Sequence, residues 1–547
     1  MYKDGNLYVA HSANGPINIL GNMANRHGLI AGATGTGKTV SLQVLAETFS
    51  QAGVPCFMAD MKGDLSGISQ TGKMSGFIEK RCPEFGIENP QFKGCPTRFF
   101  DVFGEQGYPM RTTVSAMGPQ LMARILDLND TQTGVLTILF RIADDKNLLL
   151  IDLKDLRLML DFVGKNSAQF TTEYGNVSTA SIGAIQRSLL TLENEGGDKF
   201  FGEPAFDVAD LIATEGGMGV MNVLAADKLM MHPKLYSTFL LWLLTELYTR
   251  MPELGDPELP KLVFFFDEAH MLFDGTSKAL REKIEQIIRL IRSKGIGVYF
   301  ITQSPSDVPV DILGQLGNRI QHALRAFTPQ DQKAVKIAAQ TFRANPAFKT
   351  EDAITELGTG EALVSFLDEK GAPCIVEKAK ILFPLSSIGA ISDGQRLDVN
   401  NSAPESIRKY KDYFDRESAY EVLTEVNNKL QKAEEEAVQA AQKEKDAKAK
   451  EKEKAAKEKS SKKSSTIKRT IFGTMIGAAA TSFARSLGTQ IAKNVGGTKS
   501  TTKKSTSTKK STSTKKSSGS VLEKAAKTAT TTATRKITEE ILKSILK

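Results

Sequence analysis

The sequence predicts an α/β fold with a mainly parallel sheet, a largely helical insertion and a helical or disordered basic C-terminal tail. Three observations support this prediction. Short apolar runs alternate with helical patterns over residues 1 to about 395, as in proteins built from parallel strands and crossover helices. A glycine-rich loop joins one apolar run to a helical pattern, and a pair of carboxylates ends another run. After residue 460 the chain is rich in lysine, serine and threonine.

The length of 547 residues exceeds one hydrophobic core, so several units are expected. The composition shifts predict a core in two parts, a helical insertion between them, a charged helix or coiled coil, and a tail with two short amphipathic helices. In that order along the chain, the predicted segments are 1–104 (core), 105–215 (insertion), 216–395 (core), 396–460 (charged helix, with the helix itself at 404–460) and 461–547 (tail).

Charge is distributed unevenly along the chain. Residues 1–400 contain 38 Lys and Arg against 46 Asp and Glu, a net charge of −8. Residues 401–460 are balanced at 14 each, and residues 461–547 contain 19 against 3, a net charge of +16. We therefore expect a polyanion partner to meet the tail before it meets the body.

The targeting and redox signals favour a cytoplasmic protein. The four cysteines show no C-x-x-C spacing, which argues against a zinc site and against a disulfide framework. The uncharged run Thr470–Ala484 has 15 residues, and a membrane span needs about 20. The first residues show no basic-then-apolar signal pattern.

A complete G-x-x-x-x-G-K-T motif lies in His27-Gly-Leu-Ile-Ala-Gly32-Ala-Thr-Gly-Thr-Gly37-Lys38-Thr39. An apolar run precedes it and a helical pattern follows, which is the strand–loop–helix context that a phosphate-binding loop requires. Backbone N–H groups and the helix N-terminus would face a phosphate chain. Lys38 would reach the β- and γ-phosphates of ATP, and Thr39 would bind Mg²⁺. The predicted nucleotide-binding residues are Gly32, Ala33, Thr34, Gly35, Thr36, Gly37, Lys38, Thr39 and Val40.

A second apolar run ends in two carboxylates, in Lys261-Leu-Val-Phe-Phe-Phe-Asp267-Glu268-Ala-His270. In an open parallel sheet, chemistry lies at the carboxyl ends of the strands. We predict that Asp267 holds Mg²⁺ through a water molecule and that Glu268, the next residue, activates the attacking water as general base.

The next predicted strand, Gly297-Val-Tyr-Phe-Ile-Thr-Gln303, ends in a polar residue. Gln303 is predicted to hydrogen-bond the γ-phosphate or the lytic water; the alternative is an ordinary turn residue. An amphipathic helix is predicted over Lys278–Lys294. Three interpretations stay open for Asp60-Met-Lys62-Gly-Asp64, which follows the strand-like Pro55–Ala59: support of the metal, contact with a neighbouring subunit, or a loop turn.

The insertion explains why 228 positions separate Thr39 from Asp267. Helical patterns are predicted at Met117–Leu160 and Ser181–Leu192. Lys234–Arg250 is predicted as a buried helix, with Trp242 in the core.

Taken together, these residues resemble the HerA/FtsK superfamily of P-loop ATPases. The resemblance rests on the phosphate loop, Asp267-Glu268-Ala-His270, Ile291-Arg292-Ser-Lys-Gly295 and Ile301-Thr-Gln303-Ser-Pro. The chain is most similar to the bacterial helicase HerA-like subgroup of unknown function. That similarity covers about 1–395 and is carried by stretches such as Ala24-Asn-Arg-His-Gly-Leu-Ile, Asp152-Leu-Lys-Asp-Leu-Arg157 and Gly317-Asn-Arg-Ile-Gln-His.

The resemblance implies a RecA-like sheet, a homo-oligomeric and usually hexameric ring, and ATP-driven movement along double-stranded DNA. It also implies an arginine finger that reaches the neighbouring subunit. Arg292 matches that position, with Arg325 and Arg319 as second choices; the alternative for Arg292 is a helix C-terminal cation. HerA proper has a β-barrel before its phosphate loop, whereas 31 residues precede Gly32 here.

The sequence of the tail is compatible with more than one kind of partner. It is suited to salt-dependent DNA binding, and it is equally suited to a solubilising linker. Residues 467–494 contain Lys468 and Arg469 near their start and Gly473-x-x-x-Gly477 after them. This pattern suits an oligomerisation helix, a helix on an anionic membrane surface, or a packed segment. A Lys-Lys-Ser-Thr repeat follows at 503–518 and is predicted to be disordered. The second function hypothesis is an ATP-dependent scaffold or switch that acts on protein or membrane-surface partners without DNA.

Overall fold

The computed structural model describes residues 1–3, 5–273 and 278–463. The chain divides into two compact units, Met1–Thr424 and Glu425–Lys547, and the described part of the second is helical through Lys463. The strands are β1 Tyr2–Lys3, β2 Asn6–Ser12, β3 Gly15–Ile19, β4 Gly28–Ala31, β5 Cys56–Asp60, β6 Thr97–Phe100, β7 Thr214–Glu215, β8 Met218–Gly219, β9 Met221–Ala225, β10 Leu262–Phe266, β11 Ile296–Thr302, β12 Asn318–Gln321, β13 Glu361–Ser365 and β14 Glu377–Ile381.

The α-helices frame these strands and also form the insertion. They are α1 Lys38–Gln51, α2 Gly76–Arg81, α3 Val114–Ile125, α4 Asp130–Asp145, α5 Leu153–Lys165, α6 Ser167–Tyr174, α7 Thr179–Asn194, α8 Gly197–Phe200, α9 Pro233–Arg250, α10 Lys278–Ile291, α11 Val310–Leu313, α12 Pro329–Gln340, α13 Thr350–Glu356, α14 Asp393–Asn401, α15 Glu405–Arg408 and α16 Ala419–Lys463. Among the described residues, no helix combines the length and apolar character needed to cross a membrane.

Most of the strands form one large sheet in the order β1-β2-β14-β13-β12-β4-β11-β10-β5-β9-β6, with β3 on β2. The run from β12 to β6 is parallel throughout. The predicted mainly parallel α/β fold is therefore confirmed. The central strands are completely buried because they are apolar along their whole length, as in Leu262–Phe266.

An antiparallel extension on one side of the sheet was not predicted. β13, β14 and β2 pair antiparallel in succession, and β1 and β3 flank β2. The residues before the phosphate loop thus join the same sheet, through pairing of Ala10 with Ile381. Because these paired positions are far apart in the chain, no local sequence pattern indicates that the strands pair.

The insertion is helical between Val114 and Phe200, but the helix predicted over Met117–Leu160 is divided into three pieces. Asn129 caps α4 by accepting the backbone N–H of Gln132, and Asp152 caps α5 through two backbone N–H groups. The helix Pro233–Arg250 is buried, and Trp242 packs between Phe200 and Phe239 in the core. The boundaries of the insertion stay a prediction.

The polar helix predicted for 404–460 begins only at Ala419 and continues to Lys463. Residues 404–418 pack against the body instead, because Ile407 and Tyr410 are buried and the Tyr410 hydroxyl donates a 2.6 Å hydrogen bond to Asp210. The coiled coil stays a prediction. The apolar segment at 467–494, the lysine repeat and the last amphipathic helix lie outside the described residues.

Candidate functional site

The phosphate loop is fixed to both neighbours of the central strand β4. The backbone N–H of Gly32 donates to the carbonyl of Thr302 at 3.2 Å, and that of Ala33 donates to the carbonyl of Ala323 at 2.8 Å. Gly37, with φ of 113°, then turns the chain into α1, whose first residue is Lys38. The nine positions predicted to bind nucleotide therefore form one continuous loop and helix start.

A buried histidine for which the sequence predicts no role supports this loop. His322 follows β12, and a Cβ on Gly32 would lie 2.5 Å from its Cβ, so only glycine fits at position 32. Burial lowers the pKa of His322 to about 4, which keeps the imidazole neutral. Its Nδ1 donates to the carbonyl of Glu361 at 2.9 Å, and its Nε2 accepts the Ser41 hydroxyl at 2.7 Å. The ring thus ties α1 to β13 behind the loop.

The side chain of Lys38 folds back over the loop. Its Nζ donates to the carbonyls of Gly32 at 2.7 Å and Ala33 at 3.2 Å. Burial lowers the pKa of Lys38, and the nearby Glu268 and Asp267 oppose that shift. A phosphate chain would offer this ammonium stronger, charged acceptors than two carbonyls. Thr39 and Val40 lie half-buried in the first turn of α1.

The two carboxylates lie at the carboxyl ends of the parallel strands, on the same edge of the sheet as the loop. The register pairs Phe266, at the end of β10, with Phe300 of β11, and it pairs Thr302 of β11 with Ala31 of β4. Asp267 is buried and accepts the backbone N–H of Glu268 at 3.0 Å. Burial and the adjacent Glu268 raise the pKa of Asp267 to about 6.

Glu268 has an unusual backbone conformation, and its side chain forms an ion pair with Lys62. Its φ of 48° lies in the left-handed region, which a non-glycine residue adopts at a cost of order 1 kcal/mol. Burial raises the pKa of Glu268, but the 2.6 Å hydrogen bond from Lys62 Nζ to Oε1 and the positive charges of Lys62, His270 and Lys38 together outweigh burial and hold that pKa below its usual value. The other oxygen, Oε2, is buried without a hydrogen-bond partner among the described residues and lies 3.5 Å from His270 Nδ1. Glu268 is thus ionised. Its Oε1 accepts a hydrogen bond from Lys62, and its Oε2 has no hydrogen-bond partner among the described residues.

Asp60 adds a third buried carboxylate to this edge. It is the last residue of β5, and its Oδ2 accepts the backbone N–H of Leu65 at 3.2 Å. Its Oδ1 has no partner within the part of the chain that the structure describes. Burial, together with Asp64, raises the pKa of Asp60 to about 7. Of the segment Asp60–Asp64, Lys62 is the residue that contacts a predicted catalytic side chain.

These acidic oxygens fit a divalent cation. Asp60 and Asp267 have raised pKa values because buried negative charge is incompletely neutralised there. Within the described ranges, no group of three or more His, Cys, Asp or Glu could hold a metal by itself. Mg²⁺ at phosphate sites takes only one or two protein oxygens and completes its shell with phosphate and water. Thr39 and Asp267 suit that shared coordination.

Gln303 lies directly after β11 and is exposed. It lines a cavity of about 570 Å³ together with Ala33, Thr34, His270 and Arg325. The cavity opens beside the start of the phosphate loop, so Gln303 and Arg325 lie at the edge where a nucleotide of the same subunit would bind.

Arg292 lies at the amino ends of the parallel strands, on the edge of the sheet opposite the phosphate loop. It precedes β11, and its Nη2 is 3.3 Å from Asp256 Oδ1. Together with Arg26, Arg289 and Arg319 it lines a second cavity, of about 300 Å³. The guanidinium of Arg319 has a structural role, because it donates hydrogen bonds to the carbonyls of Leu313, Leu316 and Thr341.

Strand order, phosphate loop and carboxylate pair together define a P-loop nucleoside triphosphatase with a RecA-like sheet. The family model for the helicase HerA-like C-terminal family matches residues 6–501, and the chain belongs to this family of HerA/FtsK-type ATPases. A comparison with curated protein sequences gives no match.

Solved structures with a similar arrangement include a bacterial conjugative coupling protein and a VirB4 protein. The unbound coupling protein TrwBdeltaN70 has 15% identity and a TM-score of 0.47, covering 71% of this chain and 91% of its own. TrwB in complex with the GTP analogue GDPNP has 15% identity and a TM-score of 0.46, covering 69% and 89%. VirB4 of Thermoanaerobacter pseudethanolicus has 14% identity and a TM-score of 0.45, covering 70% and 97%.

Proposed function

We propose that this protein is an ATP-hydrolysing ring motor that translocates on, or remodels, double-stranded DNA. The observation that carries the proposal is the common sheet edge, where the loop after β4 faces the polar end of β11 and the two carboxylates after β10. Membership of the HerA-like family supports the motor assignment.

In this proposal the N–H groups of Gly32–Val40 and the ammonium of Lys38 bind the phosphates. Thr39 and Asp267 would hold Mg²⁺, which would supply positive charge to neutralise the β- and γ-phosphates. Glu268 accepts the proton of the attacking water. Its unpartnered Oε2 supports this role, because a base needs an oxygen free to accept. Gln303, exposed beside the loop, contacts the γ-phosphate or that water.

We assign Lys62 as a positioning residue for the base. Its ion pair keeps Glu268 ionised despite burial and fixes one of the two carboxylate oxygens. Left-handed backbone at Glu268 adds a second constraint on where the carboxylate lies.

Arg292 is proposed to act on the nucleotide of the neighbouring subunit. Its location at the amino edge of the sheet supports a role in trans, because its own phosphate loop lies at the carboxyl edge. Its partner Asp256 also contacts Arg26, at 3.2 Å, so a single carboxylate balances two arginines there. The remaining positive charge favours an anion that another subunit brings.

The experiment is steady-state ATP hydrolysis by the full chain, with and without linear duplex DNA, at two salt concentrations. A tail variant serves as the matched control, in which serine replaces the lysines of the repeat, namely Lys503, Lys504, Lys509, Lys510, Lys515 and Lys516. Stimulation by duplex that survives in the tail variant and at moderate salt supports a translocase. Stimulation that disappears in either condition reduces DNA to an electrostatic contact of the tail.

The second candidate is an ATP-dependent scaffold or switch without DNA. The net charge of −8 over residues 1–400 favours it, because an acidic body repels a polyanion on average. Hydrolysis that is indifferent to duplex, combined with flotation of the full chain on anionic vesicles, would support this candidate over the motor.

A further inference from the structure

The sheet order sets the direction in which a bound nucleotide runs. β10, which carries Asp267 and Glu268, lies on one side of β4, and β12 and β13 lie on the other. The carboxylates mark the end of the site where the γ-phosphate reacts. The nucleoside end must therefore leave the loop on the side of β12 and β13. This argument rests on the proposed function, since it requires a nucleotide in the loop.

On that side, the turn before β13 contacts the loop, in addition to the residues that follow β12. The backbone N–H of Gly360, just before β13, donates to the carbonyl of Thr36 at 3.1 Å. A Cβ on Gly37 would lie 3.4 Å from the Gly360 nitrogen, so the two backbones are packed closely. A Cβ on Gly360 would in turn lie 3.4 Å from Nη2 of Arg81 and 3.7 Å from Cζ of Phe77. A single glycine thus separates these two side chains of α2 from the phosphate loop.

Phe77 and Arg81 form a small surface that we call the α2 shelf. The Arg81 guanidinium lies 4.9 Å from the centroid of the Phe77 ring, within cation–π range. The Phe77 side chain nevertheless stays exposed, at 53%. Only 11% of the Arg81 side chain is exposed, and its Nη1 is buried with no hydrogen-bond partner among the described residues. An exposed ring beside an unused, buried donor is the pair of groups that a base and its ribose require.

We propose that the α2 shelf is the nucleoside subsite of this ATPase. The base stacks on Phe77, and Arg81 Nη1 donates to an oxygen or ring nitrogen of the nucleoside. Stacking contacts only the π-face of a base, which every base has, and so it does not distinguish one base from another. The subsite therefore accepts adenine and guanine nucleotides alike.

One other exposed aromatic residue competes for this role. Phe327, 81% exposed, lines the 570 Å³ cavity with Gln303 and His270. That cavity adjoins the start of the loop, at Ala33 and Thr34, whereas Gly360 joins the α2 shelf to the end of the loop, at Thr36 and Gly37. We favour Phe77 because its ring lies beside a buried donor that has no hydrogen-bond partner among the described residues.

The test compares nucleotide with a ligand that has no base. Binding of ATP, GTP and tripolyphosphate to the full chain is measured by calorimetry with Mg²⁺ present. Phe77→Ala should weaken ATP and GTP binding roughly 5- to 150-fold, the range of one base-stacking contact, and leave tripolyphosphate binding unchanged. Phe77→Tyr should restore nucleotide binding. The control is Phe414→Ala, which removes an aromatic ring of similar exposure, 61%, between α15 and α16.

Several results would overturn the proposal. Unchanged ATP binding by Phe77→Ala would do so, as would an equal loss of tripolyphosphate binding, which indicates damage to the loop. A nucleotide-specific loss in Phe327→Ala rather than in Phe77→Ala would transfer the subsite to the other cavity. Failure of the proposed function looks different: Lys38→Ala would then leave binding of both ATP and tripolyphosphate intact.

Discussion

Replacing Asp267 with asparagine should stabilise the nucleotide-free protein while it abolishes turnover. The raised pKa of this buried carboxyl, about 6 against 3.8 for the free side chain, means that keeping it ionised costs free energy of folding. At 1.36 kcal/mol for each pKa unit, that cost is about 3 kcal/mol at pH 8. Asparagine removes the charge and keeps an oxygen to accept the Glu268 backbone N–H.

The sign of the pH dependence follows from the same shift. Because the folded-state pKa is raised, the wild type loses stability as the pH rises from about 4 to 6. Burying the new amide nitrogen offsets about 1 kcal/mol. We therefore expect Asp267→Asn to gain about 2 kcal/mol at pH 8 and, because the cost of the buried amide is then hardly offset, to lose up to about 1 kcal/mol at pH 4.

The assay is urea unfolding of the full chain without nucleotide at both pH values. The matched control is Asp311→Asn, which removes an exposed carboxylate of α11. Equal stability of wild type and variant at pH 8, or a gain of the same size at pH 4, would refute the reasoning. Equal stability would mean that the charge of Asp267 is already neutralised in the folded protein without a bound cation, and an equal gain at pH 4 would mean that the gain does not come from removing that charge.

Two further predictions concern the base and the ring. Lys62→Met should move the acid limb of the pH–rate profile to higher pH, because burial then raises the pKa of Glu268 without opposition from the ion pair. A profile superimposable on that of the wild type would contradict this, and Lys228→Met, which breaks a surface ion pair with Glu105, is the control. Arg292→Ala should retain ATP binding and lose hydrolysis in the assembled protein. Mixing it with Glu268→Gln subunits should restore part of the activity, because some interfaces then combine an intact base with an intact arginine; no recovery in mixed assemblies would exclude a role in trans.

The elements around the phosphate loop could be predicted because their signals are local. Glycine spacing, an apolar run and an amphipathic helix lie within about 25 residues of one another in Gly28–Gln51. The same holds for β10 and β11, whose apolar runs end in Asp267 and Gln303.

The contacts that support the site could not be predicted, because they join distant parts of the chain. Lys62 meets Glu268 across 206 positions, and His322 meets Ser41 across 281. Neither residue carries a pattern of its own: a lysine in a loop and a histidine after a strand are ordinary until the sheet order brings β5 beside β10 and β12 beside β4. The strands at the N-terminus were missed for the same reason.

The central claim is that the sheet edge formed by β4, β11 and β10 hydrolyses ATP with Glu268 as the base. The most direct measurement is ATP binding and single-turnover hydrolysis by Glu268→Gln beside the wild type. The account predicts ATP affinity close to that of the wild type and hydrolysis slower by about 10²- to 10⁴-fold, the usual contribution of a general base. Hydrolysis at the wild-type rate would contradict it and would require another group at this edge to activate the water.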